Sequence, residues 1–173
     1  MINYFDFYEL PVKFNLSEQE LKQKYFKLLK TNHPDFFIDD PIKYQEALLN
    51  SSQNNKAYQC LKDFYSRSHH ILDLSDIVLN DNLSPAFLME MMDINESLAE
   101  LQSVPDVSEW QKMQSDISGI EKDIEHELSI LCKKADQVTS FSEMPLPAIK
   151  ENLLKHKYIL RLKETLANIA PSK

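Results

Sequence analysis

His33 and Asp35, separated only by Pro34, are the residues of this chain whose types and spacing could most readily do chemistry. An imidazole and a carboxylate so close could work as general acid and base, provided each lies within hydrogen-bond reach of a reacting group. No nucleophile stands beside them in the sequence. His69 and His70 raise the question of a metal, but adjacent histidines on a helix point about 100° apart rather than at one ion. His126 and His156 fall in helical patterns without a spaced carboxylate or cysteine. All of these read as surface histidines. Cys60 and Cys132 are far apart and make no CxxC pair, which argues for a reducing compartment and against a disulfide framework or zinc site. The expectation is no catalytic residue, no metal, no cofactor and no enzyme.

The elements around the triplet give it a different use. Proline lacks a backbone donor and biases the residue before it away from helix, so His33-Pro34-Asp35 ends one helix and sits in a turn. Upstream, Ser17-Glu18-Gln19-Glu20 is a capping box with Ser17 as N-cap. Leu21, Tyr25, Leu28 and Leu29 then make an apolar helical stripe, with Lys22, Lys24, Lys27 and Lys30 off it. Downstream, Pro41 opens a second pattern through Tyr44, Leu48, Ser51, Tyr58 and Leu61.

Composition narrows the class. The chain has 173 residues, 43% of them hydrophobic, and a single glycine. That excludes glycine-rich phosphate loops and most hairpins, and with abundant leucine, lysine and glutamate it predicts an all-α protein. A formal net charge of −8 disfavours nucleic acid and anionic membranes as partners. Residues 17–32 run against that sign, with four lysines to two glutamates. No apolar run reaches the length of a membrane span.

The first unit is expected over 1–75, closed by a short helix bearing Arg67, Ile71, Leu72 and Leu74. A linker follows at 76–83, and a three-helix antiparallel bundle over 84–173. Ser84 caps the first bundle helix and Pro85 opens it, running to about 103. The second runs from about 106 to 138 on a stripe from Trp110 to Val138. Gly119 faces away from that stripe. The third runs from about 147 to 169, with Ile149, Leu153, Leu160 and Ala167 on one side and Leu154, Tyr158, Leu162 and Leu166 on another. A homodimeric coiled coil is the alternative; three amphipathic helices covering one another favour the bundle.

One helix carries more apolar surface than its core face needs. Phe87, Met91, Ile94, Leu98 and Leu101 lie within about 40° of one line, with Leu88 and Met92 at its margin and Met89 opposite. Periodicity alone leaves open whether a neighbouring helix covers Leu88 and Met92 or a partner does. Flexible methionines suit an adaptable partner surface.

These words together resemble a known family. Two antiparallel helices joined by His33-Pro34-Asp35 resemble a J-domain. Tyr25 with Leu28 and Asn55-x-Ala57-Tyr58-x-x-Leu61 resemble its second and third helices. Tyr4-Phe5-Asp6-Phe7-Tyr8-Glu9-Leu10-Pro11 resembles the opening of HscB, the J-protein co-chaperone of iron–sulfur cluster assembly. The resemblance implies an all-α J-domain followed by a three-helix bundle. It implies two partners, a DnaK-class (HscA-like) chaperone whose ATPase the protein stimulates and an IscU-type scaffold that it delivers. His33, Pro34 and Asp35, with Lys22, Lys24, Lys27 and Lys30, would meet the chaperone. Leu88, Met89 and Met92, with Tyr158 where the family often has phenylalanine, would meet the scaffold. Phe26 and Phe36-Phe37 stand where basic residues are common, which shifts docking toward the four lysines. The pattern begins almost at Met1, so a bacterial, cytoplasmic protein is expected. A J-protein for another client is the alternative. A metal-dependent helical enzyme would need paired ExxH motifs, and the sequence has none.

Overall fold

Asn3 begins the first helix: its side-chain oxygen accepts from the Phe5 and Asp6 amides and opens α1 (Tyr4–Phe7). The computed structural model describes residues 1–169, and among these there is helix but no strand. In α2 (Glu18–Thr31) the Ser17 hydroxyl accepts from the Glu20 amide at 3.3 Å, half of the expected capping box. A 3-10 turn, Pro34–Phe37, precedes α3 (Pro41–Lys62), where Asp40 caps and Pro41 takes the first position. Asp63 then caps α4 (Phe64–Leu74).

α2 and α3 run antiparallel. Tyr25 stacks on Tyr58 with ring centroids 4.3 Å apart, and nearer the turn the Ser51 hydroxyl donates to the Asn32 carbonyl. The buried face of α3 is Ala47, Asn54, Ala57 and Leu61, so the expected stripe is turned slightly and Leu48 lies largely outside it. Asn54 is a buried polar residue that the apolar pattern did not mark. It accepts from the Tyr8 hydroxyl at 2.7 Å and donates to the Tyr25 carbonyl at 3.2 Å, linking three segments. Burial pushes the Tyr8 phenol well above its usual range. Arg67 is buried as well; its guanidinium donates to the Phe14 and Leu61 carbonyls, so α4 closes the unit by satisfying loop and helix-end acceptors.

His70 corrects the surface reading of the histidines. It is buried, stacks against Phe5, and its Nε2 accepts from the Tyr4 amide at 3.1 Å. Burial lowers its pKa, and the acceptor role requires the neutral ring. As pH falls through about 6.5, the unfolded chain takes up a proton that folded His70 resists, so stability falls. Chemical denaturation at pH 7.5 and pH 5.5 should therefore show a loss at the lower pH that shrinks in His70→Gln.

The chain folds as two compact units, Met1–Ile77 with Ala135–Glu143, and Val78–Lys134 with Met144 onward. The inclusion of 135–143 in the first unit departs from the expected bundle boundaries. Its reason is local: the Asp136 carboxylate accepts from the Phe14 and Asn15 amides at 2.6 and 2.9 Å.

The second unit contains α5 (Pro85–Glu90), α6 (Met92–Ser103), α7 (Val107–Ala135) up to Lys134, and α8 (Leu146–Asn168). Its core joins Phe87, Met91, Leu98 and Leu101 to Met113, Ile117 and Ile124 of α7 and Ile159, Leu162 and Leu166 of α8. Trp110, at the start of α7, donates its indole N–H to the carbonyl of Leu166 near the end of α8, so these helices are antiparallel. On α8 the inward stripe contains Ile159, whereas Leu160 and Ala167 face out.

Gly119 is exposed on α7, and a Cβ built there meets nothing within 4 Å. Gly119→Ala should stabilise the protein by about 1 kcal/mol, since only the entropic cost of glycine in a helix is removed. Denaturant unfolding checks this; an unchanged or lowered midpoint would show that the glycine has another use.

Candidate functional site

The His-Pro-Asp turn is built by its own first residue. His33 is the N-cap of the 3-10 turn: its Nδ1 accepts from the Asp35 amide at 3.3 Å, and its carbonyl from the Phe36 amide at 3.1 Å. Pro34 supplies a fixed φ at the first position. Behind the turn, Ser51 on α3 holds the Asn32 carbonyl. This frame presents the Asp35 carboxylate with 75% of its side chain exposed, 3.6 Å from the His33 ring. His33 is exposed too. Such an arrangement can offer a fixed negative charge to a cationic partner.

The four lysines do not lie on one face of α2. Lys22, Lys27 and Lys30 line a shallow groove on α2 with Gln19, Gln23 and Phe26. Lys24 lies on the other side of the helix and pairs with Glu9 at 3.3 Å. Glu9 adopts a left-handed φ of 51°, a local backbone choice that the sequence pattern does not announce.

In the second unit, Leu88, Met89 and Met92 are 44%, 71% and 55% exposed, while Phe87 and Met91 beside them are core. Neighbouring helices therefore leave these three side chains largely uncovered. The expected single helix over 84–103 is instead broken at Met91, between α5 and α6. Asn95 marks the break: its side-chain amide donates to the Met91 carbonyl at 2.6 Å and to the Tyr158 hydroxyl at 2.8 Å. Tyr158 also meets Phe87 edge-on, with centroids 5.7 Å apart. The tyrosine hydroxyl thus has a structural use, joining α8 to the helix break. Asn95 was missed from sequence because a mid-helix asparagine carries no mark of what its amide will reach.

His156 needs a second correction. It is buried, and its Nε2 lies 3.6 Å from Glu125 Oε1 and 3.9 Å from Glu121 Oε1. Carboxylates do accompany it, on the neighbouring helix rather than at a spacing within its own. His69 and His126 are exposed, as expected.

Comparison with known proteins places these features in context. Residues 83–167 match the family model described as the HSCB C-terminal oligomerisation domain. The chain is 30% identical to the co-chaperone protein HscB homolog of Shewanella frigidimarina over 97% of each protein. It is 36% identical to that of Shewanella amazonensis over 61% of this chain and 63% of the relative. The structure of chaperone HscB from Vibrio cholerae superposes with a TM-score of 0.66 at 26% identity, covering 97% of both chains.

Proposed function

The chain belongs to the HscB co-chaperone family, whose members stimulate the ATPase of HscA and deliver IscU to it in iron–sulfur cluster assembly, and on that premise we propose which surfaces do this work. Asp35, on the frame made by His33 and Pro34, contacts a basic site on the ATPase domain of an HscA-like chaperone. Lys22, Lys27 and Lys30 meet an acidic surface of the same partner, and Lys24 contributes less because Glu9 already neutralises it. Complementary charge of this kind sets encounter rate and register more than raw affinity.

Leu88, Met89 and Met92, with Tyr158 at their edge, hold the scaffold protein. Carrying both surfaces on one chain raises the local concentration of client at the chaperone without a new client–chaperone contact. In this reading the protein changes a partner's rate and performs no chemistry itself. It works in the bacterial cytoplasm, in keeping with bacterial relatives and with thiol, not disulfide, cysteines. Among the described residues no helix is long and apolar enough to cross a membrane.

The observation that carries the reading is the cap-fixed turn that leaves Asp35 exposed. Its test is steady-state ATP turnover by an HscA-like chaperone with and without this protein. A several-fold rise is expected, and no rise would overturn it. Reversing Lys27 and Lys30 to glutamate should weaken chaperone binding, and raised salt should weaken the wild-type complex in the same sense. Lys24→Glu should have the smaller effect, and scaffold binding should not change. Titration calorimetry with each partner reads all three.

A further inference from the structure

We infer that Glu121, Glu125 and His156 form a binding site for one divalent transition-metal ion of the zinc, cobalt or nickel class. Glu121 and Glu125 are four residues apart on α7 and so share a helical face. His156 comes from α8 and turns its Nε2 toward both. One ligand atom from each residue lies within 4.8 Å of the others. Around a tetrahedral ion with bonds of about 2.0–2.2 Å, ligand atoms sit roughly 3.4 Å apart. The histidine–carboxylate separations of 3.9 and 3.6 Å are close to that geometry, and the two carboxylates, within 4.8 Å of each other, close on the ion by side-chain rotation.

The donor set selects the ion. An imidazole suits zinc, cobalt and nickel, whereas magnesium and calcium prefer all-oxygen cages. Burial holds the imidazole in place, at 5% side-chain exposure, while Glu125 is 55% exposed and leaves water a route to the remaining coordination position. Glu121 is only 13% exposed.

Lys163 is the resident competitor. Its ammonium lies 2.6 and 2.8 Å from the two Glu121 oxygens. The ion must share or displace that charge, so the lysine sets the affinity. Bound, the ion would tie α7 to α8.

Cobalt(II) titration of the full chain, followed by visible absorption and calorimetry, tests the site. Saturable one-to-one binding is expected, displaced by zinc and not by magnesium. His156 is buried and its replacement endangers folding, so Glu125→Gln, at an exposed carboxylate, is the decisive variant. It should weaken binding by about tenfold or more. Lys163→Met should tighten it several-fold, and zinc should raise the melting temperature of the wild type more than that of Glu125→Gln. Absence of saturable one-to-one binding would overturn the inference. Binding left unchanged by Glu125→Gln would overturn it as well, by placing the ion at other histidines.

Discussion

His33→Gln should reduce chaperone ATP turnover to its basal rate while the helical circular dichroism stays unchanged. The imidazole lies at the surface and packs no core, so helix content has no reason to fall. Its Nδ1, however, caps the turn and fixes the Asp35 amide. Glutamine is a poor N-cap and cannot reproduce that short acceptor geometry. Asp35→Asn should be equally inactive for another reason: it keeps the turn and removes the charge. Loss of one partner from a desolvated charge pair commonly costs about 2–5 kcal/mol, a factor of roughly 30 to several thousand in affinity. ATP turnover with circular dichroism on both variants distinguishes the two routes to inactivity from misfolding. Full stimulation by either folded variant would remove the turn from the mechanism.

The second large effect is expected at Leu88 and Met92. Replacing both by alanine should cost about 2 kcal/mol or more of scaffold binding, roughly a thirtyfold loss of affinity. Folding stability should hardly move, because both side chains are substantially exposed and the core is already filled by Phe87, Met91, Ile117 and Ile159. Were they core, each truncation would instead cost about 2–5 kcal/mol of stability. Scaffold titration and thermal melting on the same variant therefore give opposite signatures for the two assignments. A lowered melting temperature with unchanged scaffold affinity would return these residues to the core.

What the sequence disclosed follows from how local each feature is. Ser17 and Ser84 were legible as caps because capping needs only neighbours within one turn. The exposed arc of Leu88, Met89 and Met92 was legible as an excess over one core face, though choosing surface over core required the positions of α7 and α8. The break at Met91 was not legible, since a continuous apolar stripe runs through it and the contact that accompanies it joins the Asn95 amide to a tyrosine on another helix. The same holds for His70 and His156, whose burial is set by Tyr4 and Phe5 in one case and by α7 in the other. Lys24 looked equivalent to Lys22, Lys27 and Lys30 until the backbone at Glu9 brought a carboxylate to it. Histidine and lysine carry no sequence mark of the partners that folding gives them.

In the proposed function, chaperone contact and scaffold contact must reside on one chain. That requirement is tested most directly by mixing His33→Gln protein with Leu88→Ala/Met92→Ala protein in equal amounts and measuring chaperone ATP turnover with limiting scaffold. Each protein keeps one surface, so the mixture contains every contact but no tether. The expected result is the stimulation given by the turn alone, without the further rise that scaffold produces with the wild type. Full restoration of that rise by the mixture would contradict the account.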